Sequence, residues 1–464
     1  MKSKVGRADI SSGTGGSVPS WNPVNKEPKL FNRRRFITAS AAAVALPAII
    51  PSSIFAQSRP SNQITIGVIG WGMQGPENTQ AFMAESDCRV VAACDVDKKH
   101  LQDAVETINA HYGTKDCAAY SDYRELLKRD DIDAVIISVP DHWHALIAIE
   151  AAKQKKDIYG EKPLARTIAE QQAIVRAVQQ NKIIWQTGSW RRSRKVYRRA
   201  AEIVRNGLLG KLKRVEVGLL SGHFDFQGGF GGSYGGQESS SPPPELDYEM
   251  WVGPAEKLPY VQARTHMNWR WHYNTGGGML MDWIGHHCDI AHWGMDCDSS
   301  GPTEVQGRGE FPPKDAVFNT ATEYRIELKY PDGIDMTIAG GHPEIEEGTK
   351  WIGADGWLWV GEWGIQSSNP EWQSQKELPD DFRKVRLYES PGHHRNFLDS
   401  VKSRKPTVAP VETAHHSAIP GHLGLIAMLT GRKIRWNPER EEIIDDAEAG
   451  KLLTREYRAP WKLG

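Results

Sequence analysis

The feature that most constrains this chain is a glycine-rich turn between a predicted strand and a predicted helix. Residues 64–70 read ITIGVIG, a short and largely β-branched run typical of a buried strand. The pattern G-x-G-x-x-G follows directly, and a helical stretch begins at Pro76. Glycines so placed allow a tight turn, a close approach of backbone to pyrophosphate and close helix–strand packing. The pattern predicts a dinucleotide-binding loop formed by Gly70, Trp71, Gly72, Met73, Gln74 and Gly75.

A carboxylate in the next predicted strand supports this interpretation. Asp95 lies in RVVAACDV, at 89–96, and follows Gly75 by 20 residues. A carboxylate at that position accepts hydrogen bonds from the adenosine ribose hydroxyls. Asp95 therefore favours NAD as the cofactor, while the nearby Lys98 and Lys99 leave NADP open.

The alternation of strands and helices predicts an α/β fold with two domains. Strands separated by helices of about 10 to 15 residues indicate a parallel, doubly wound sheet, which we place at residues 62–186. Residues 187–464 are predicted to form an α+β domain on a large, mostly antiparallel open sheet, because strand candidates there are separated by turns. A Gly/Ser/Pro-rich stretch at 222–244 is too long for a simple connection, and we interpret it as a surface lid or as a disordered segment.

The N-terminal region, residues 1–56, is predicted to be an export signal. Arg33, Arg34 and Arg35 precede Phe36 and an aliphatic residue, which resembles the twin-arginine signal. The following apolar run, 39–50, is far shorter than the ~20 residues needed to span a bilayer. A buried core helix is the alternative. We expect cleavage near residue 56, export in the folded state by the twin-arginine machinery, a periplasmic location and no stable membrane span.

Charge and cysteine content exclude several classes of protein. Beyond residue 56 the chain carries 49 Lys/Arg against 56 Asp/Glu, a balance that argues against nucleic-acid binding. The five cysteines are scattered without a CxxC pair, so neither a disulfide framework nor a zinc ribbon is indicated. An exported protein with so few thiols is expected to fold in the cytoplasm and to carry a tightly bound cofactor out with it.

Two segments carry residues suited to proton transfer. Lys162 lies in GEKPLA, where the following proline favours an extended backbone, and a lysine held beside a nicotinamide can donate a hydrogen bond to a substrate oxygen. An exposed turn is the alternative. Asp282 and His286 are four residues apart and share one face of a helix, and a carboxylate beside an imidazole orients it and stabilises its protonated form. An ordinary surface pair is the alternative there.

The segment at 268–295 is also rich in aromatic and metal-ligand residues. We predict no metal site, because no HExxH pattern is present and the candidate ligands do not share one helix face: Asp282, His286, His287, Asp289 and His292. Indole rings pack well against sugar rings, and we expect one or two of the tryptophans here to line a carbohydrate pocket, with Arg270 and His272 available for hydroxyl groups. The tryptophans are Trp251, Trp269, Trp271, Trp283 and Trp293.

Four motifs of this chain occur in an order that is shared with a known family. GVIGWGMQG, VPDHWHALIAIEAA, EKPLA and GGGMLMDWIGHHCDIAHW together resemble the Gfo/Idh/MocA family of oxidoreductases, and the resemblance extends from Ile64 to the closing YRAPW. The family implies a Rossmann domain followed by a mixed-sheet α/β domain whose open face helps form the active site. It also implies a homo-oligomer, a dimer or tetramer, assembled through that open sheet.

The resemblance assigns roles to individual residues. Lys162 matches the EKP lysine that contacts the reacting hydroxyl, while Asp282 and His286 match a D-x-x-x-H motif whose histidine is the acid/base. His144 matches the histidine of a P-N-x-x-H segment beside the nicotinamide, with Asp141 where asparagine is usual. Pro140 and Glu161 join the expected cofactor site, and the expected substrate-binding residues are Arg270, Trp271, His287 and Asp289.

These residues predict oxidation of a hydroxyl on a sugar, polyol or glycoside. His286 would remove the hydroxyl proton, supported by Asp282, and Lys162 would stabilise the developing alkoxide. Because no NAD pool exists outside the cytoplasm, the cofactor is expected to be recycled in place. One alternative is a hydrolase like those of glycoside hydrolase family 109, which use bound NAD to cleave by oxidation and elimination. A non-enzymatic sugar-binding protein is the other.

Overall fold

A parallel sheet of six strands forms the first part of the fold, in the spatial order β3-β2-β1-β4-β5-β6. The computed structural model describes residues 63–222, 236–313, 315–373 and 378–463, all within one compact unit. The strands are β1 Ile64–Ile69, β2 Cys88–Cys94, β3 Ala118–Tyr120, β4 Ala134–Ile137, β5 Asp157–Gly160 and β6 Trp185–Thr187. The helices between them are α1 Gln74–Met83, α2 Lys98–Tyr112, α3 Tyr123–Leu127, α4 Asp141–Lys153 and α5 Ile168–Asn181.

This sheet is apolar because helices cover it on both sides. Every residue of β1 and β4 is buried, as expected for central parallel strands. Local capping fixes where the helices begin: the Asp97 carboxylate accepts the backbone N–H groups of Lys99 and His100 at the start of α2, and Thr167 forms a capping box with Glu170 at the start of α5.

The second sheet has nine strands in the order β13-β12-β11-β7-β10-β9-β8-β14-β15. Its strands are β7 Leu212–Leu219, β8 Glu304–Glu310, β9 Glu323–Lys329, β10 Asp335–Gly340, β11 Gly348–Gly353, β12 Trp357–Gly361, β13 Gly364–Ser367, β14 Ile434–Asn437 and β15 Glu442–Ile443. Strands β7 and β10 pair in parallel, and the other pairs are antiparallel. The predicted fold class, a Rossmann domain followed by a mostly antiparallel sheet domain, is confirmed.

Helices cover one face of the second sheet. The α-helices in this part of the chain are α6 Lys195–Arg205, α7 Tyr248–Val252, α8 Gly278–Met295, α9 His393–Ser403, α10 Val411–Thr430 and α11 Ala447–Lys451. Helices α6, α8 and α10 pack on the strands, and residues along β9 alternate between buried and more exposed positions. This pattern is typical of an antiparallel sheet with one covered face.

The later part of the chain returns to the first sheet. Phe397 of α9 packs edge-on against Phe82 of α1, with ring centroids 5.7 Å apart. Arg455 donates a hydrogen bond of 2.7 Å to Glu170 of α5, and the Trp461 ring meets the Trp143 ring of α4 at 4.9 Å. The helices of the Rossmann domain are therefore covered in part by residues from the later part of the chain, and two of these, Arg455 and Trp461, follow the last strand of the second sheet.

Some sequence predictions fall outside the described residues. They are the export signal at 1–56 and most of the expected lid, residues 223–235. Among the helices in the described part of the chain, none is both long and apolar enough for a membrane crossing. All five cysteines are free thiols, and burial raises the pKa of each of them.

Candidate active site

A cavity of about 380 Å³ opens at the carboxyl ends of the parallel strands. It lies where strand order reverses between β1 and β4, the position at which doubly wound sheets bind dinucleotides. Eight residues predicted to bind the cofactor line it: Gly70, Gly72, Met73, Gln74, Asp95, Pro140, Glu161 and Lys162. The other three do not line the cavity; they are Trp71, Gly75 and His144.

The three glycines of the turn have different physical roles. Gly70 has a φ of 92°, and a Cβ there would lie 2.3 Å from the carbonyl oxygen of Ser138. A Cβ on Gly75 would lie 2.2 Å from the carbonyl oxygen of Gly70, so these two glycines are required by the protein itself. A Cβ on Gly72 would meet no protein atom within 4 Å. Gly72 lines the cavity, so its backbone is open to a close approach by a pyrophosphate.

Asp95 organises the adenosine end of the cavity. Its carboxylate accepts the backbone N–H of Trp71 at 2.7 Å and that of Asp97 at 2.8 Å, which ties the glycine turn to the end of β2. The Trp71 side chain is buried and donates its indole N–H to Asp103 at 2.6 Å. Trp71 thus contributes backbone to this turn, while its ring belongs to the packing of α2 rather than to the cavity.

His144 joins two loops instead of facing the cavity. Its Nδ1 lies 2.8 Å from the carbonyl oxygen of Pro163 and its Nε2 lies 2.8 Å from that of Val139. Burial lowers the pKa of His144, and the ring connects the turn after β4 to the EKP segment. This contact holds Pro140 and Lys162 in place on the cavity wall.

The ammonium group of Lys162 is fixed by helix α8. Its Nζ donates to the backbone carbonyl oxygen of Asp282 at 2.8 Å and to the carboxylate at 3.1 Å. Arg270 donates to the same carboxylate oxygen at 3.0 Å. Burial acts to raise the pKa of Asp282, yet the charges of Lys162 and Arg270 outweigh it and lower that pKa to about 2. Lys162 and Arg270 both line the cavity, whereas Asp282 lies behind them.

Asp282 was expected to pair with His286, but in the structure it pairs with other residues. The hydrogen bonds of Asp282 go to Lys162 and Arg270, and the Nδ1 of His286 is buried without a hydrogen-bond partner among the described residues. Burial and the positive charges of Lys162 and Arg191 lower the pKa of His286 well below 6.5. The ring is therefore a neutral imidazole, able to accept a proton, rather than a carboxylate-stabilised imidazolium.

His286 is close enough to Lys162 to be affected by its charge, although it does not itself line the cofactor cavity. Its ring centroid is 5.2 Å from that of Trp283 and 6.2 Å from that of Trp190. The Arg191 guanidinium lies over both indole rings, at 5.5 and 5.6 Å. This half-buried imidazole is consequently bordered by aromatic faces and a fixed positive charge.

Three of the four predicted substrate residues do not line the cofactor cavity. Trp271 is fully buried in the core of the second domain, and its indole donates to Asn268 at 3.2 Å. His287 is buried against Arg191, and Asp289 forms a buried ion pair of 2.8 Å with Arg192. Trp271 ends the 3₁₀ helix His266–Trp271, which precedes α8, and Asp289 lies about two helical turns beyond Asp282 along α8. The fourth, Arg270, lines the cavity with its guanidinium 4.5 Å from the Trp269 ring.

Two polar residues were not assigned a role from the sequence: His266, which lines the cavity, and Asp141, which follows the lining residue Pro140 but does not itself line the cavity. Asp141 is buried, its Oδ1 has no hydrogen-bond partner among the described residues, and burial together with the charge of Asp282 raises its pKa to about 8. His266, with a φ of 51°, places its ring 4.8 Å from the His100 ring at the adenosine end. The only available signal was Asp141 occupying a position where the resemblance expects asparagine.

A Rossmann cavity whose wall carries a lysine anchored by a second, open-sheet domain defines a pyridine-nucleotide-dependent oxidoreductase. Residues 64–189 match the family model described as oxidoreductase family, NAD-binding Rossmann fold, and residues 194–463 match its C-terminal alpha/beta domain. The chain belongs to the Gfo/Idh/MocA family, and its first domain is an NAD-binding domain.

Comparison with individual proteins extends this assignment. The chain is 31% identical over 214 residues to glycosyl hydrolase family 109 protein 2 of Shewanella sp. (strain ANA-3), covering 41% of this chain and 46% of that protein. The chain thus spans about half the length of the curated relatives it matches.

Two crystal structures share its fold at 15% identity and a TM-score of 0.57. One is the aldose-aldose oxidoreductase of Caulobacter crescentus with glycerol, covering 80% of this chain and 99% of that one. The other is the WlbA dehydrogenase of Bordetella pertussis with NADH and UDP-GlcNAcA, covering 81% and 99%.

Proposed function

We propose that this protein oxidises a hydroxyl group on a sugar, polyol or glycoside with bound NAD. The observation that carries the proposal is the position of Lys162, whose ammonium group lies on the cofactor cavity wall and is held there by Asp282. When NAD is bound, its nicotinamide accepts the hydride that leaves the carbinol carbon.

The protein's own residues provide the remaining chemistry. Lys162 donates a hydrogen bond to the reacting oxygen and stabilises the negative charge that develops on it, an effect of the kind that contributes about 3 kcal/mol. His286, neutral because burial and adjacent positive charge lower its pKa, accepts the hydroxyl proton. Asp282 positions Lys162 and Arg270 and neutralises part of their charge.

A carbohydrate is the substrate class that the surroundings of His286 favour. Trp190 and Trp283 offer indole faces, which pack against the apolar faces of sugar rings, and Arg191 supplies hydrogen-bond donors. The names of the two solved relatives, an aldose-aldose oxidoreductase and a dehydrogenase bound to a nucleotide sugar, agree with this class.

The proposal includes export and a closed redox cycle. The twin-arginine pattern at 33–37 supports delivery of a folded holoenzyme to the periplasm, where reduced cofactor must be reoxidised on the same protein. Reduction of a second carbonyl compound would complete such a cycle. We further propose that the protein is a homo-oligomer, formed through the uncovered face of the second sheet.

The second candidate function is glycoside hydrolysis. The similarity to a family 109 glycosyl hydrolase favours it, because oxidation and later reduction of the same sugar, with elimination between them, would also use bound NAD. The two functions differ in outcome, since hydrolysis releases an aglycone without net cofactor reduction.

One experiment separates these functions. Protein recovered from the periplasm is washed and denatured, and the released nucleotide is quantified by mass spectrometry. Holoenzyme is then mixed with D-glucose, myo-inositol or p-nitrophenyl glycosides while nicotinamide and nitrophenol absorbance are followed. We expect near-stoichiometric NAD and reduction by a sugar or polyol, with Lys162→Ala retaining NAD but not reducing it. Nitrophenol release without net NADH would establish the hydrolase instead, and an empty cavity that takes up no NAD would indicate a binding protein.

A further inference from the structure

We propose that His415, His416 and Glu441 bind a divalent metal ion, Zn²⁺ by their chemistry, at the junction of the two domains. Both histidines lie in the first half of α10, and Glu441 lies in the turn between β14 and β15. None of the three lines the cofactor cavity. The site is therefore separate from the proposed oxidation chemistry and goes beyond it.

The ligand atoms already stand at distances suited to one ion. His415 Nε2 lies 2.9 Å from Glu441 Oε1, and His416 Nε2 lies 3.5 Å from the same oxygen. All three ligand atoms lie within 4.8 Å of one another. Zn²⁺ binds imidazole nitrogen and carboxylate oxygen at about 2.0 to 2.2 Å, which separates neighbouring tetrahedral ligands by roughly 3.3 Å. An ion between these atoms requires only small movements of side chains.

The hydrogen bonds of the two imidazole rings point to a cation. Nδ1 of His415 lies 2.9 Å from Oε1 of Gln171, and Nδ1 of His416 lies 2.8 Å from the backbone carbonyl oxygen of Glu412. Each oxygen accepts a hydrogen bond, so Nδ1 of each ring carries a proton and Nε2 is the ring atom directed towards Glu441. The amide nitrogen of Gln171 faces His422 at 2.8 Å, which fixes the oxygen on the His415 side.

This arrangement is the one that metal-binding histidines adopt. When both rings are neutral, two nitrogen lone pairs and a carboxylate oxygen face one another at short range, an arrangement that a positive ion stabilises. Histidine ligands usually donate their second ring N–H to a carbonyl or carboxylate oxygen, which orients the ring and increases its basicity. Both rings of this site have such a partner.

The carboxylate of Glu441 is held in position, and water can reach the proposed metal site. Gln172 donates to the other oxygen of Glu441 at 2.8 Å and so holds the carboxylate in position. Glu441 itself has a φ of 53°, a backbone region that few residues other than glycine adopt. The side chains of His415, His416 and Glu441 are 3%, 16% and 20% exposed, so water can reach the site as a fourth ligand.

Another group at metal-binding distance in the described part of the chain is Asp97, His100 and His266. Its geometry has a different explanation, because one oxygen of Asp97 caps helix α2 and all three residues line the cofactor cavity. At the His415 site, by contrast, Gln171 and Gln172 of α5 support ligands from the second domain. A bound ion would therefore stabilise the contact of the Rossmann domain with the second domain.

The test is metal binding by the purified full chain with its cofactor in place. After treatment with a chelator and dialysis, ZnCl₂ is titrated by calorimetry, and CoCl₂ is added separately to look for the visible absorption of tetrahedral Co²⁺. We expect a single Zn²⁺ per chain and tetrahedral Co²⁺ spectra in the unaltered protein. A matched control, His111→Gln, changes an exposed histidine of α2 and should behave identically.

Variants of the proposed ligands distinguish Zn²⁺ binding at this site from nonspecific Zn²⁺ binding elsewhere on the protein. His416→Gln and Glu441→Gln should weaken Zn²⁺ binding at least a hundredfold, and Gln172→Ala should weaken it about tenfold, because partners that orient ligands typically contribute that much. Zinc should raise the thermal midpoint of the unaltered protein and of His111→Gln but not that of His416→Gln. Absence of Zn²⁺ binding, or equal affinity in all variants, would overturn the proposal. So would a midpoint that depends on pH but not on zinc, because protons on both histidines would then supply the positive charge.

Discussion

Lys162 and Asp282 are joined twice, once through the backbone carbonyl of Asp282 and once through its carboxylate. The acidic residue of the D-x-x-x-H pattern therefore holds the lysine of the EKP segment and not the histidine that follows it by one helical turn. The backbone at Gly285 reinforces this contact, since a Cβ there would lie 3.1 Å from the Cβ of Lys162. Helix α8 thus determines where the ammonium group lies on the wall of the cofactor cavity.

Replacement of Lys162 by methionine should abolish most of the oxidation without releasing NAD. The side chain keeps its length but loses the positive charge that stabilises the developing alkoxide, and loss of one such donor costs about 10²- to 10³-fold in kcat. Single-turnover reduction of bound NAD measures the effect. Lys153→Met, at the end of α4, is the matched control. Turnover within a few-fold of the control would rule out this role for Lys162.

The activity of the unaltered protein should persist in mildly acid solution. His286 has a pKa well below 6.5, so it stays neutral and able to accept a proton as the pH falls through that value. We expect kcat/KM to decline only at lower pH. Residual activity of Lys162→Met should decline at higher pH than wild type, because one of the charges that lower the pKa of His286 has been removed. An acid limb at the same pH in both proteins would contradict this coupling.

Asp141 should make the protein less stable as the pH rises from about 4 to about 8. Burial raises its pKa to about 8 in the folded state, whereas the unfolded chain loses the proton near 3.8. Over this range the folded state binds the extra proton, and the free energy of unfolding falls by up to about 1.4 kcal/mol per pH unit. Asp141→Asn should remove that dependence in urea unfolding measured at several pH values. Asp282 does not interfere, since its pKa of about 2 lies below the range.

Asp95 should make the protein select NAD over NADP. A 2′-phosphate would approach the carboxylates of Asp95 and Asp97, while Lys99, one of the two nearby lysines, is paired with Glu245. Asp95→Ser should weaken NAD binding at least tenfold and lessen the discrimination against NADP, as measured by equilibrium dialysis of apo protein with each nucleotide. Asp116→Asn, a surface substitution in the same domain, is the control. Equal affinity of the unaltered protein for both nucleotides would refute the argument.

Local patterns in the sequence were sufficient for the fold class and for the NAD-binding domain. The roles of Gly70 and Gly75 depend on neighbours that any strand–turn–helix unit brings close, so the motif alone predicts them. The partner of Asp282 is different, because Lys162 is 120 residues away and only the docking of α8 on the first domain brings them together. Helical spacing indicated that Asp282 and His286 share a face, but it did not predict that Lys162 and Arg270 would bind the carboxylate.

Trp269 and Trp271 give a second example of side-chain placement that the sequence alone does not predict. Both belong to a 3₁₀ helix, His266–Trp271, where residues two apart point to different sides. Trp269 lines the cavity and Trp271 is fully buried in the core. Composition predicted that some tryptophans of this segment would face a ligand, but only the packed structure separates those that do from those that stabilise the second domain.

The contacts of Arg455 and Trp461 with the first domain have a consequence for biosynthesis. The ribosome exposes the six-stranded sheet long before it reaches residue 455, and domains generally fold as they emerge. Here the surfaces of α4 and α5 that Trp461 and Arg455 contact stay exposed until the remainder of the chain has been translated. A chaperone that recognises exposed apolar helices would meet this intermediate during every round of synthesis.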